Sequence, residues 1–193
     1  MTQATIFGDG NMGTALAGIL TEGGATVEHI TTAEQGEGTV AGDLVILAVP
    51  YPALDAIVAA YGEQLAGKVV VDITNPLNFE TFDSLTVPAG SSAAAELAAK
   101  LPSSRVLKAF NTTFAATLAS KTVGSSNPTT VLIAGDDAEA KSTLADAITA
   151  GGLAAVDAGA LNRARELEAL GFLQLTLAAG EKIGWTGGFA LAK

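Results

Sequence analysis

The stretch Gly8-Asp9-Gly10-Asn11-Met12-Gly13 decides the fold of this chain. It fits the pattern G-x-G-x-x-G, between a predicted strand at residues 4–7 and a predicted helix at residues 12–21. In that setting the first glycine permits a tight turn, the second lets the backbone approach a pyrophosphate, and the third lets helix and strand pack closely. Free N–H groups at the helix N-terminus favour bound phosphate. The motif therefore predicts a dinucleotide-binding unit.

The rest of the chain alternates short apolar runs with longer helical stretches, a pattern typical of α/β folds. Further strands are predicted at residues 26–30, 44–49, 68–73, 105–110, 129–134 and 153–157. Further helices are predicted at residues 52–60, 93–100, 136–150 and 163–179, with a long loop at 74–92 and no full crossover helix at 31–42. We predict a Rossmann-type doubly wound parallel sheet over residues 1–160. Residues 161–193 are predicted to form a small C-terminal helical extension that completes the substrate side.

The composition of the 193 residues argues against several functional classes. The net charge of −10 disfavours nucleic-acid binding, because such a chain repels phosphate backbones. The absence of cysteine excludes disulfides and thiolate zinc sites, and a single histidine leaves little for metal or triad chemistry. The longest strongly apolar run, residues 44–50, is too short to span a bilayer. Because the first ten residues do not resemble a secretory signal, we expect a cytoplasmic protein that contacts neither membrane nor nucleic acid.

The end of the second predicted strand bears on the choice of cofactor. NAD-binding units place an acidic residue there for the ribose hydroxyls, whereas NADP-binding units place basic or hydroxyl groups for the 2′-phosphate. Glu28 lies too early in the strand, and Thr31 and Thr32 follow its end. Two hydroxyls without a carboxylate favour NADP over NAD, although no arginine accompanies them.

Three loops follow the carboxyl ends of predicted strands, where ligands bind in open α/β sheets. They comprise residues 48–51, 72–77 and 108–112. Asn75 and Asn111 are candidates to hydrogen-bond a carboxamide or a substrate carbonyl, but each is equally consistent with loop stabilisation. Tyr51, Lys108 and Thr112 are the candidate proton donors, and Lys108 is also consistent with a solvated lysine. No residue is assigned as catalytic, and no metal site is predicted.

These segments together carry a resemblance to a known family. Residues 8–13, 48–50, 72–77, 108–112 and the ending 184–193 resemble the NADP oxidoreductase, coenzyme F420-dependent family. That family includes NADPH:F420 oxidoreductases, their dinucleotide-binding relatives and the reductase domain of metalloreductases. The resemblance implies NADP(H) as cofactor and a second redox partner, F420 or a flavin, docking over the nicotinamide.

The resemblance also assigns roles to individual residues. The glycine motif would contact the pyrophosphate through Gly8, Asp9, Gly10, Asn11 and Met12, with Gly13 completing it. Thr31 and Thr32 would contact the 2′-phosphate, and Thr32 stands where members with strong NADP preference carry arginine. The nicotinamide contacts would be Ala48, Val49, Pro50, Asn75 and Ala109. The substrate side would include Pro76, Phe110, Asn111 and Thr112.

The leading hypothesis is an NADP(H)-dependent oxidoreductase that transfers a hydride between nicotinamide and F420, a flavin or a similar acceptor. One alternative is a small imine or carbonyl reductase resembling pyrroline-5-carboxylate reductase, which proline-linked NADPH oxidation would reveal. Another is a non-catalytic dinucleotide sensor, which would bind the cofactor without turnover. The partners expected are a small-molecule redox substrate and a second copy of the chain in a homodimer.

Overall fold

The computed structural model describes residues 2–31 and 36–192, which form a sheet covered by helices on both faces. The strands are β1 (Gln3–Phe7), β2 (Thr26–Ile30), β3 (Leu44–Leu47), β4 (Val69–Asp72), β5 (Arg105–Lys108), β6 (Thr122–Val123), β7 (Asn127–Pro128), β8 (Thr130–Gly135) and β9 (Ala154–Gly159). The α-helices are α1 (Asn11–Glu22), α2 (Leu54–Leu65), α3 (Ala93–Lys100), α4 (Ala115–Ser120), α5 (Ala138–Ala150) and α6 (Ala164–Ala179). Short 3₁₀ turns at Tyr51–Ala53 and Leu161–Arg163 precede α2 and α6.

The sheet has the order β2-β1-β3-β4-β5-β8-β9, and its first five strands are parallel. The chain moves from β1 outward to β2 and then returns to place β3 on the other side of β1. Ligands bind at such a reversal, outside the carboxyl ends of the strands. The predicted Rossmann-type fold is confirmed, and the glycine motif lies at the reversal.

The last two strands of the sheet correct the prediction of a wholly parallel sheet. β8 pairs with β5 in the antiparallel direction, and β9 is parallel to β8. The connection from β5 to β8 contains only the short helix α4 and the β6–β7 hairpin. A parallel return needs a full crossover, whereas an antiparallel neighbour does not.

Two apolar layers hold the helices onto the sheet. Alternate residues of the fully buried β3 serve both layers, with Leu44 and Ile46 facing one and Val45 and Leu47 facing the other. One layer packs against α1, α4 and α5, and the second packs against α2 and α3. The continuous apolar run of β3 therefore reflects burial on both faces, as is usual in such sheets.

Several element boundaries differ from the predicted ones. The predicted strands 44–49 and 105–110 end early, at Leu47 and Lys108, because the chain turns there into the loops at the edge of the sheet; Phe110 has a φ of 63°. Helix α4 was not predicted, and α2 continues to Leu65 rather than ending at residue 60. The helix predicted at residues 136–150 begins at Ala138, because its N-cap is Asp137, which accepts a hydrogen bond from the backbone N–H of Ala140 at 2.8 Å.

Helix α6 buries polar and small residues as well as apolar ones. Glu168, Gly171 and Gln174 are buried, whereas Leu173 is 50% exposed. Gln174 binds both the site loop and the tail: its Nε2 donates to the Thr112 carbonyl at 3.1 Å, and its Oε1 accepts from the Phe189 N–H at 2.8 Å. The face of α6 that meets the sheet edge is therefore built for polar contacts.

Candidate functional site

The glycine motif forms the tight junction between β1 and α1. Gly8 has a φ of 97°, and its N–H donates to the Ile30 carbonyl at 2.9 Å. A Cβ on Gly8 would clash with the Ala48 carbonyl, and a Cβ on Gly13 would clash with the Gly8 carbonyl. Gly10 is the N-cap of α1 with a φ of −66°, and nothing lies within 4 Å of the position of an added Cβ. Gly8 and Gly13 are thus required by the protein itself, and Gly10 leaves open space at the helix N-terminus.

A cavity of about 730 Å³ opens beside this junction, at the carboxyl ends of the parallel strands. Its volume lies in the usual range for small-molecule sites. It is lined by Gly10, Asn11, Met12, Ala48, Val49, Pro50, Tyr51, Ile73, Thr74, Asn75, Phe79, Phe110, Asn111, Thr113, Phe114, Ala115, Ala116, Leu175 and Trp185. The lining contains no lysine, arginine, aspartate or glutamate side chain, so the cavity suits a largely uncharged ring system.

A pair of asparagines forms a polar floor in this cavity. Asn75 Nδ2 donates to the Asn111 carbonyl at 2.8 Å, and Asn111 Nδ2 donates to Asn75 Oδ1 at 2.9 Å and to the Leu167 carbonyl at 2.8 Å. Among the described residues, Asn111 Oδ1 and Thr74 Oγ1 are buried without a hydrogen-bond partner. A buried orphan acceptor is costly unless a ligand or water satisfies it. The floor therefore fits a ligand that carries amide-like donors and acceptors.

Gly171 on α6 makes room for this pair. A Cβ at Gly171 would meet Asn75 Oδ1, Asn111 Nδ2 and the Asn111 carbonyl at distances shorter than real Cβ contacts. The close approach of α6 to the asparagines thus depends on the missing side chain. No feature of the sequence of α6 indicated that this glycine contacts the asparagine pair.

We expect Gly171→Ala to lower the free energy of unfolding by about 1–3 kcal/mol, the usual cost of overpacking. The methyl group must push the asparagine pair aside, so the affinity for nucleotide should fall as well. Urea unfolding and fluorescence titration measure the two effects. Ala169→Ser, at an exposed position of the same helix, is the control and should leave both quantities nearly unchanged. Equal behaviour of the two variants would contradict the role given to Gly171.

Lys108 is not available as a proton donor to a substrate, nor is it a solvated lysine. It is fully buried, and its Nζ lies 2.9 Å from Asp72 Oδ2, 2.9 Å from Glu168 Oε1 and 2.6 Å from the Thr74 carbonyl. Glu168 Oε2 also accepts from the Ala93 N–H at the start of α3, at 2.9 Å. Burial raises the pKa of Glu168, and Lys108 opposes that rise. The cation ties β4, β5, α3 and α6 together beneath the cavity.

Tyr51 lines the cavity, but its hydroxyl is already engaged. Tyr51 Oη donates to Glu96 Oε2 at 2.6 Å. Burial raises the pKa of Tyr51 above its ordinary range, and the Glu96 carboxylate raises it further. The tyrosine therefore stays protonated and directed toward Glu96.

Aromatic side chains form the rim of the cavity. Trp185, from the tail after α6, packs edge-on against Phe114 with ring centroids 4.9 Å apart. Phe79, from the long loop at 74–92, packs against Phe82 with centroids 5.7 Å apart. Trp185 and Phe79 are 52% and 58% exposed although both line the cavity. Neither residue was predicted from the sequence, because neither belongs to a periodic element or to a recognised motif.

The structure brings most of the predicted site residues to two adjoining cavities. Those lining the large cavity are Gly10, Asn11, Met12, Ala48, Val49, Pro50, Asn75, Phe110 and Asn111. Gly8 and Thr31 line a second cavity of about 60 Å³, together with Val49.

Other predicted site residues line neither cavity. Asp9 is exposed, whereas Gly13, Pro76, Ala109 and Thr112 are buried. Thr112 contributes its backbone carbonyl to the hydrogen bond with Gln174. Thr32 lies outside the described residues.

Two kinds of feature are absent from residues 2–31 and 36–192. No helix in these ranges is both long and apolar enough to cross a bilayer. No group of three or more histidine, aspartate or glutamate side chains in these ranges could hold a metal ion.

Comparisons with known proteins agree with this geometry. The F420-dependent NADP reductase of Methanocaldococcus jannaschii is 34% identical over 135 residues, which cover 67% of this chain and 59% of the reductase. Metalloreductase STEAP3 of Rattus norvegicus is 38% identical over 108 residues, 56% of this chain and 21% of that protein. Over this part of its length the chain is similar to an F420-dependent NADP reductase, as its sequence motifs predict. It spans less than two thirds of either of these relatives. No family model matches the sequence.

A solved structure shows the same fold over the full length of this chain. It comes from a protein of Arthrobacter sp. FB24 that is provisionally assigned as an F420-dependent NADP reductase. It superposes with a TM-score of 0.85 and 24% identity, covering 100% of both chains. The C-terminal helix and tail, which carry Gly171 and Trp185, are therefore included in the shared fold.

Proposed function

We propose that the chain is an NADP(H)-dependent oxidoreductase that transfers a hydride between nicotinamide and F420, a flavin or a similar ring acceptor. The observation that carries this proposal is the cavity of about 730 Å³, apolar and free of charged side chains, directly beside the glycine junction. It is large enough to hold one ring system against another. Its position at the strand reversal matches the usual place of nucleotide ligands in this fold.

The residues present fit NADP(H). Gly10, Asn11 and Met12 at the N-terminus of α1 would hold the pyrophosphate through backbone N–H groups. The asparagine floor, with its orphan Asn111 Oδ1, would receive the carboxamide. A bound NADPH supplies the hydride, so the protein needs to contribute placement and the exclusion of water.

The arrangement of proton donors favours a ring acceptor over a carbonyl substrate. Carbonyl reduction requires a positioned acid. Tyr51 is bonded to Glu96, and Lys108 is sealed beneath the floor by its three oxygen partners. The exposed rings of Phe79 and Trp185 at the rim offer stacking surfaces for a planar heterocycle. The names of the archaeal and Arthrobacter proteins, which both mention F420, give the same indication.

The decisive experiment mixes the protein with NADPH and F420 and follows both absorbances. We expect one NADPH oxidised per F420 reduced, with no change when either component is omitted. FMN and FAD in place of F420 test the flavin acceptors. Loss of NADPH absorbance only with a cyclic imine would support the imine reductase alternative. Cofactor binding without turnover against every acceptor would support the sensor, and absence of binding would refute the proposal altogether.

Tyr51→Phe separates ring reduction from acid-assisted carbonyl reduction. We expect kcat with the preferred acceptor to stay within about tenfold of the unchanged protein, because a positioned acid is worth about 100-fold or more. Steady-state rates across pH 6–9 provide the measurement. A 100-fold fall in kcat with unchanged cofactor affinity would show that the hydroxyl leaves Glu96 and protonates the substrate.

We also propose that the chain forms a homodimer through α6 and the tail. Leu173, Phe189 and Leu191 are 50%, 44% and 47% exposed and belong to these two segments. Light scattering coupled to size-exclusion chromatography tests this assembly. A monomer at micromolar concentration would refute it without affecting the enzymatic proposal.

A further inference from the structure

The part of the chain that would receive the nucleotide lacks cationic side chains. Residues 1–67 contain no lysine or arginine, but they contain eight aspartates and glutamates. This segment supplies β1, α1, β2, β3 and α2, and hence the glycine junction and Thr31. Its single imidazole, His29, has its Nδ1 2.9 Å from the Gly8 carbonyl oxygen. A 2′-phosphate with roughly two negative charges would meet no fixed positive side chain here.

The described residues at the end of β2, where the 2′-phosphate would lie, also lack a positively charged side chain. Thr31 lines the small cavity of about 60 Å³, whose lining within residues 2–31 and 36–192 is uncharged: Phe7, Gly8, Ile30, Thr31, Val49, Ala53, Ile57 and Tyr61. Glu28 lies two residues before the end of β2, and its Oε1 accepts from Thr5 Oγ1 at 2.7 Å and from the Ala41 N–H at 3.0 Å. Neither a cation that selects NADPH nor a carboxylate that selects NADH stands at Ile30 or Thr31.

Cations from later in the chain do not fill this gap among the described residues. Three reach the first 67 residues at the edge opposite the ligand. Lys68 lies 3.6 Å from Asp43, and Lys121 pairs with Glu22 at the C-terminal end of α1. Arg105 donates to the Gly67 carbonyl at 3.3 Å and lies 3.7 Å from Glu139. Lys100 pairs with Asp55 at the start of α2. Each of these cations is already matched to a carboxylate.

We propose that this site takes NADH as well as NADPH, with dissociation constants within tenfold of each other. The inference rests on the proposed function and specifies which nicotinamide cofactors the site binds. A phosphate binds roughly tenfold more tightly to an arginine than to a neutral hydroxyl, and residues 1–67 of this chain contain no arginine. No acid stands at Thr31 to repel the 2′-phosphate at close range or to bind the free ribose hydroxyls.

Fluorescence titration of Trp185 provides the test, because it is the only tryptophan and lies on the cavity rim. NADPH and NADH are titrated at one fixed ionic strength, and 2′,5′-ADP and 5′-AMP are compared as competitors. We expect the dissociation constants of NADPH and NADH to differ by less than tenfold. The constants of 2′,5′-ADP and 5′-AMP should also differ by less than tenfold. A preference for NADPH or NADH above tenfold overturns the inference while leaving an oxidoreductase intact. Failure of both dinucleotides to bind refutes the proposed function itself.

A positive charge placed at the end of β2 tests whether the 2′-phosphate lies beside Thr31. Thr31→Arg is expected to strengthen NADPH binding at least tenfold and to change NADH binding by less than threefold. Thr26→Arg adds the same charge at the other end of β2 and is the matched control. Circular dichroism confirms that each variant is folded. An equal gain from both variants, or no gain from Thr31→Arg in a folded protein, contradicts the assignment of the 2′-position to Thr31.

Discussion

Lys108→Met is expected to lower the free energy of unfolding by about 3–5 kcal/mol, because it leaves two buried carboxylates without their cation. Asp72 and Glu168 both lie within 2.9 Å of Lys108 Nζ, and all three side chains are almost completely buried. Urea unfolding followed by circular dichroism measures the loss. Lys100→Met is the matched control, since Lys100 and Asp55 form an exposed pair whose removal should cost no more than about 1 kcal/mol.

The same variant should show a characteristic dependence on pH. Burial already raises the pKa of Glu168 in the folded protein, and removing Lys108 removes the group that opposes this rise. A carboxyl whose pKa is higher in the folded than in the unfolded state loses stability as pH rises through that interval. The loss caused by Lys108→Met should therefore be smaller at pH 5 than at pH 8. A loss no larger than that of Lys100→Met, or one independent of pH, would contradict the buried ion triad.

Gly10→Ala is expected to weaken nucleotide binding by about tenfold or more while changing the free energy of unfolding by less than about 1 kcal/mol. The added methyl meets no protein atom within 4 Å, and a φ of −66° is accessible to any residue. The only contact it can obstruct is that of a ligand with the N-terminus of α1. Calorimetric titration and urea unfolding separate the two effects.

Alanine substitutions at two other glycines serve as comparisons for Gly10→Ala. Gly18, on the exposed face of α1, also has open space, so Gly18→Ala should leave affinity unchanged and stabilise the helix by about 0.5–1 kcal/mol. Gly13→Ala should instead reduce stability, because its Cβ would clash with the Gly8 carbonyl. Undiminished nucleotide affinity in folded Gly10→Ala would remove the basis for placing a pyrophosphate at this junction.

The fold was predictable because its main signals are local. The glycine motif, the fully apolar residues 44–47 and the helix at Ala93–Lys100 each reflect short-range constraints: a positive φ, burial on both faces, and a cap at Ser92. The antiparallel direction of β8 was not predictable in this way. Strand direction depends on how the chain returns to the sheet, and the apolar pattern of a strand is the same in either direction.

By itself, the sequence determined the Rossmann-type fold, the glycine junction and the loops that meet at the reversal of the sheet, because spacing and side-chain size act between residues that are close in the chain. Only the tertiary structure decided that Lys108 is buried between two carboxylates, that Gly171 admits the asparagine pair and that Trp185 reaches the cavity rim. These contacts join residues far apart in sequence, and their chemistry depends on burial and distance. Neither quantity exists until the chain is folded.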